Sequence, residues 1–187
     1  MLFRSLQYTY HNAKNAEAFG VELDIRKNLD FIGLRGLSLV CNAAYIYSRV
    51  RFEDGAPERD RPLAGQSPYL VNAGLFYQHD DKGISASLLY NRIGKRIESV
   101  GVPMQNESED IPDIYEMPRN SLDLTFSKKI GKFVEIKAGV QDLLNSKVEY
   151  KQFVKLTDEN GGKREREQLI RSYRPGVDIN VGVSLKF

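Results

Sequence analysis

The chain has 187 residues, 27 basic and 25 acidic side chains, a formal net charge of +2 and one cysteine, Cys41. That length allows one domain with a sizeable core, the near-neutral charge lacks the basic excess of a nucleic-acid binder, and a lone cysteine excludes both a disulfide framework and a cysteine-rich metal site. No run approaches the roughly 20 apolar residues of a membrane-spanning helix, a test that is blind to barrels.

The amino-terminal MLFRSLQYTYHNAKN lacks the basic start, apolar run and small-residue cleavage site of a secretory signal. The protein is therefore expected either to stay in the cytoplasm or to have its true beginning upstream. From there on the dominant pattern is alternation with a period of two, which predicts strands. A first strand is expected over Leu2 to Thr9, and a clearer one sets Phe19, Val21, Leu23 and Ile25 against Gly20, Glu22, Asp24 and Arg26. Leu37 to Tyr47 places Leu37, Leu39, Cys41, Ala43, Tyr45 and Tyr47 on one face, with Cys41 as a small apolar side chain. Tyr69 to Tyr77, Ile84 to Tyr90, Leu122 to Phe126, Val134 to Val140 and the closing PGVDINVGVSLKF repeat the pattern. The count comes to about eight strands, with no helix.

The connections alternate in length. HDDKG, KKIGK and the longer KNLDFIGLRG are interleaved with polar stretches around Arg49 to Ser67, Glu98 to Met117 and Ser146 to Arg171. Loops beyond about 12–15 residues are unusual in compact domains and tend to carry function. Here all three fall at one end of the sheet, as in an up-and-down outer-membrane barrel with short periplasmic turns and long outer loops. With the long loops on top, Tyr45, Tyr47, Tyr69, Tyr90 and Tyr173 sit high, and Tyr77, Phe126 and Phe187 sit low. Two aromatic belts around an aliphatic middle fit the girdles of a membrane interface.

The competing reading is a water-soluble eight-stranded barrel that holds an apolar ligand as lipocalins do, since a dry core produces the same alternation. Three features favour lipid. The face opposite the apolar one is mostly Ser, Asn, Gly, Gln and Thr, which suits an enclosed lumen better than an outer surface. The apolar face carries no charge at these positions, and its aromatics lie at the ends instead of the middle. Val40, Ile46, Leu70, Phe76 and Leu89 fall on the polar face and require an apolar partner inside.

Four stretches, FGVELDI, RPLAGQSPYLVNAGLFY, SLDLTFSKKIGKFVEIKAGVQDLLN and YRPGVDINVGVSLKF, resemble in order and spacing the carboxy-terminal strands of TonB-dependent outer-membrane receptors, particularly the Bacteroidetes-like branch. The resemblance covers nearly the whole chain. It implies a segment of a barrel of about 22 strands with a plugged lumen. The place would be the Gram-negative outer membrane, among its lipid and lipopolysaccharide. The activity implied is import of scarce nutrients such as metal chelates (siderophores among them), cobalamin or glycans. In that family a terminal Phe on an alternating strand is read by the barrel-assembly machinery, a place taken here by Phe187, with Leu185 and Val183 behind it. The signal peptide, energy-coupling box and plug of such receptors have no counterpart in residues 1–187. The chain is thus expected to be a single carboxy-terminal barrel segment that meets the TonB complex only through a missing part and does not transport alone.

Little points to chemistry. His11 and His79 lie in no metal or triad pattern, and there is no Walker loop, dinucleotide fingerprint or HExxH, so neither catalysis nor a cofactor is expected. Glu107, Glu109, Asp110, Asp113 and Glu116 crowd one loop without the spacing of an EF-hand, which reads as a solvated loop before a calcium site. Arg164 and Arg166 could meet lipopolysaccharide phosphates or an anionic ligand, although Glu165 and Glu167 nearly cancel them. Glu107, Glu109, Asp110, Arg164 and Arg166 are the candidate ligand contacts.

Overall fold

The computed structural model describes residues 12–104, 110–157 and 162–186. Among them the chain is all-β and antiparallel, with eleven strands in two sheets. The larger sheet holds β1 (Asn15–Asn28), β2 (Leu37–Arg51), β3 (Tyr69–His79), β4 (Ile84–Ile93), β7 (Arg119–Ile130), β8 (Val134–Gln141) and β11 (Asp178–Leu185), in that spatial order. Each neighbours the next in an up-and-down path, as the alternation predicts. The expected strand over Leu2 to Thr9 lies outside the described residues, as does Phe187.

The smaller sheet was not anticipated. Two of the three stretches expected to be loops fold into β5 (Arg96–Ser99), β6 (Ile114–Glu116), β9 (Val148–Thr157) and β10 (Lys163–Tyr173), paired in the order β10, β9, β6, β5. The third is pinned by a bridge between Val50 and Arg61. At the other end of the large sheet the connections are short, and KNLDFIGLRG contains a single turn of 3-10 helix, Asp30–Ile32.

The registers show that the apolar face is continuous. Val21 pairs with Tyr45, Tyr45 with Tyr69, and Ala73 with Tyr90. Leu88 pairs with Leu124, Leu124 with Val140, and Val140 with Ile179. This face is not a dry core. Val21 is 76% exposed, Ile179 and Val181 are each 72% exposed, and the buried apolar side chains among the described residues are Val50, Ile97, Val148 and Tyr150, none of which belongs to it.

The apolar band also runs obliquely to the registers. Glu22, at the centre of the apolar run of β1, leads through Ala44, Leu70 and Ile93 to Arg119. Gly182, at the centre of the run of β11, leads through Lys137 to Ser127, eight residues further along β7. Eight residues over the six steps from β1 to β11 is a slip of about 1.3 residues per strand. At about 3.3 Å per residue and about 4.8 Å between strands, the band crosses the sheet at roughly 40° to the rows.

The opposite face is polar and hollow. Asn42 donates to Glu22 at 2.6 Å, Asn91 to Asn72 at 2.5 Å, and hydroxyl pairs join Ser87 to Thr125 at 2.6 Å and Ser85 to Ser127 at 2.7 Å. A depression of about 300 Å³ is lined by Val40, Asn72, Gly74, Phe76, Leu89 and Asp123. A Cβ on Gly74 would lie 2.7 Å from the Phe76 ring and 2.9 Å from Leu89 Cδ2, so the glycine lets both side chains lie against the wall.

Candidate functional site

The small sheet and the segments around it form the structured surface at the long-loop end. Its charges are arranged in cross-strand pairs, the sheet counterpart of helical ion-pair spacing. Arg96 on β5 reaches Glu116 on β6 at 2.7 Å. Lys151 on β9 is bound by Glu167 on β10 at 2.7 Å and by Glu149 at 3.3 Å. Those carboxylates, Glu167 first, raise the Lys151 ammonium above its ordinary value.

Aromatic rings hold further cations. The Lys95 ammonium stands 4.4 Å from the centre of the Tyr115 ring and 4.5 Å from that of Phe153, and the two rings meet edge to face at 5.7 Å. Burial, with the neighbouring Asp113 carboxylate adding to it, pushes the Tyr115 phenol above its usual value. Arg171 on β10 lies over Tyr150 at 4.1 Å.

Two segments remote in sequence are tied together beside this sheet. Arg59 binds Asp110 at 2.6 Å, and Asp110 also accepts the Met104 backbone N–H. Asp60 accepts the Phe52 backbone N–H at 3.2 Å and pairs with Arg49 at 2.9 Å. The Phe52 bond chiefly, with Arg49 adding to it, holds the Asp60 carboxyl below the usual carboxylate range. Between these segments and β9 lies a cleft of about 310 Å³, whose walls include Arg59, Pro62, Pro103, Asp110, Tyr115 and Phe153.

Of the loop residues singled out from the sequence, Asp110 is engaged by Arg59, while Glu107 and Glu109 lie outside the described residues. Asp113 accepts the Gly101 N–H and Glu116 binds Arg96, so these described carboxylates are spent on separate partners and do not converge on a shared point. The solvated loop expected there is instead braced by ion pairs and strand pairing. Arg164 and Arg166 stand on β10 opposite Leu156 and Val154.

On the large sheet, Tyr45 and Tyr69 share a row, Tyr47 stacks on Phe19 at 4.9 Å, and Tyr77 and Phe126 share a row through Ala86. Tyr90 tops the apolar run of β4. Tyr173 stands apart from this band, at the end of β10 and paired with Val148. Leu185 and Val183 lie on the apolar face of β11, opposite Val134 and Ile136.

Sequence reasoning missed Lys95, Tyr150, Lys151, Phe153 and Arg171. The signal that marks β9 was present as Val148, Tyr150, Val154 and Leu156 at every second or fourth position. The Arg59–Asp110 tie has no local signal, because its partners are joined only by the fold.

No family model matches the chain, and no solved structure matches it. It is similar to transferrin-binding protein A of Haemophilus influenzae, 29% identical over 152 residues that take in 74% of this chain and 16% of that protein. The chain thus spans about a sixth of the length of this relative, and the relationship is a distant one.

Proposed function

We propose that the chain is part of the wall and outer surface of an outer-membrane receptor of the TonB-dependent kind, concerned with iron acquisition. The large sheet crosses the membrane, its short turns face the periplasm, and the small sheet stands outside and contacts the ligand. The observation that carries this reading is the unpacked apolar face cut along a diagonal. A flat hydrocarbon slab intersects strands tilted from its normal along such an oblique line, and the slope of roughly 40° falls within the 35–45° tilt of outer-membrane strands.

The likeness to a protein named for binding transferrin supports a receptor role and directs attention to iron bound to a carrier. Ion-paired and cation–aromatic groups on the small sheet suit recognition of a polar macromolecular surface, with no catalytic arrangement needed. Energy coupling and passage through the wall belong to other parts of such a receptor. Phospholipid and lipopolysaccharide surround the wall.

Orientation is tested with a membrane-impermeant maleimide on intact cells, in a Cys41→Ser background. Gln168→Cys on β10 is expected to label at once, and Asp81→Cys in a short turn only after the outer membrane is permeabilised. Labelling of position 81 on intact cells sinks the orientation.

A further inference from the structure

We propose that Arg92, on the apolar face of β4, docks the phosphate of a membrane amphiphile at the upper boundary of the band. This rests on the reading of that face as lipid-facing. Arg92 shares its parity with Leu88 and Tyr90 and sits one rung above Tyr90, at the end of β4 nearest the small sheet. Its row partners are Val71 and Asn120.

The charge there is held but not neutralised. Two other arginines of this face at the same end carry carboxylate partners: Arg49 pairs with Asp60 and Arg51 with Glu17, each at 2.9 Å. Arg92 forms no ion pair among the described residues. Its Nε donates to the Tyr69 hydroxyl at 3.3 Å and its Nη1 to Asn120 Oδ1 at 2.7 Å, while the Tyr69 ring centre lies 6.0 Å from the guanidinium carbon. Tyr90 donates its hydroxyl to the same Asn120 oxygen at 2.9 Å. Neutral oxygens thus aim the guanidinium and leave some of its five N–H donors for a ligand.

The cradle is built from several strands. Tyr69 can lie here because residue 94 is glycine: a Cβ at that position would come within 2.7 Å of the Tyr69 ring and 2.8 Å of Ser67 Oγ. A cation on an apolar surface beside two tyrosines, at the depth of lipid headgroups, matches an anion anchored in the membrane. The planar guanidinium fork suits a phosphate's oxygens, and the low dielectric strengthens the contact.

The test uses the full chain refolded in nonionic detergent and native mass spectrometry with diphosphoryl lipid A, dephosphorylated lipid A or inorganic phosphate. Expected are retention of diphosphoryl lipid A over the dephosphorylated form, and affinity reduced about tenfold in Arg92→Gln, as befits a lost charge-assisted bond. Asn120→Asp, which supplies a carboxylate to Arg92 without removing it, is expected to weaken binding similarly, and the pair Glu17→Gln with Arg51→Gln to leave it unchanged. Folding of each variant is checked by heat-modifiable gel migration. Equal lipid binding by folded Arg92→Gln or Asn120→Asp overturns the proposal, as does displacement of lipid A by inorganic phosphate at comparable concentration. A wild-type chain that stays soluble and folded without detergent defeats the lipid-facing reading itself, an outcome separable from the others.

Discussion

Ile25 on β1 and Leu122 on β7 lie on one register row, traced through Cys41, Ala73 and Tyr90, yet Ile25 closes the apolar run of its strand at the short-turn end and Leu122 opens its own at the other. Rows are perpendicular to strands, so the apolar boundary descends as it crosses the sheet. A residue's depth is therefore set by its distance from that oblique line, not by its row.

Leu88 lies near the middle of the band on β4, while its neighbour Ser87 faces the hollow side and bonds Thr125. Leu88→Arg is expected to cost about 2–4 kcal/mol in lipid vesicles, the penalty for a cation at the bilayer midplane. Ser87→Arg is expected to cost about 1 kcal/mol, the net worth of one hydrogen bond. Denaturant titration of vesicle-folded protein measures both, and equal costs would contradict the assigned faces.

Cys41 offers a probe that needs no new residue, since it stands on the apolar face between Leu39 and Ala43. A spin label there is expected to be relaxed by oxygen, which concentrates in hydrocarbon, and shielded from a polar nickel chelate. The label moved to Asn42, in a Cys41→Ser background, is expected to reverse the two accessibilities.

The depressed Asp60 carboxyl makes an acid-side prediction. Because its value is lowered in the folded state, its contribution is complete above the unfolded value of 3.8 and disappears as pH falls through the lower folded value. Asp60→Asn is expected to make the segment between β2 and β3 more protease-sensitive at pH 7. The gap from wild type should narrow as pH falls below 3.8 and the wild-type carboxyl takes up its proton, monitored with an acid-active protease at the low end.

The Lys95 contact with Tyr115 and Phe153 is open to a double-mutant cycle. Lys95→Ala and Phe153→Leu are expected to couple by about 0.5–1 kcal/mol, the usual worth of an exposed cation–aromatic contact. Hydrogen exchange of the β5 and β6 amides reads the coupling, and strict additivity would remove the energetic role of the ring.

The large sheet was legible in the sequence because two unlike surroundings act on alternate residues. Val181 and Val183 must be apolar where Asn180, Gly182 and Ser184 need not be, and that contrast repeats from β1 to β11. The small sheet hid itself by carrying charge on both faces. Along β10, Arg164, Glu165, Arg166 and Glu167 alternate only in sign, and β6 is three residues long. The tie between Arg59 and Asp110 depends on two segments brought side by side by strands far from either.

Between β4 and β5 the chain has only Gly94 and Lys95, and between β6 and β7 only Met117 and Pro118. The outer sheet is therefore mounted on the wall as a lintel on its posts. On the receptor reading proposed above, a macromolecule docking on these four strands would meet them already paired, with little ordering entropy left to lose on contact. The same short mounts leave little slack for a load applied at the surface to dissipate before it reaches the wall.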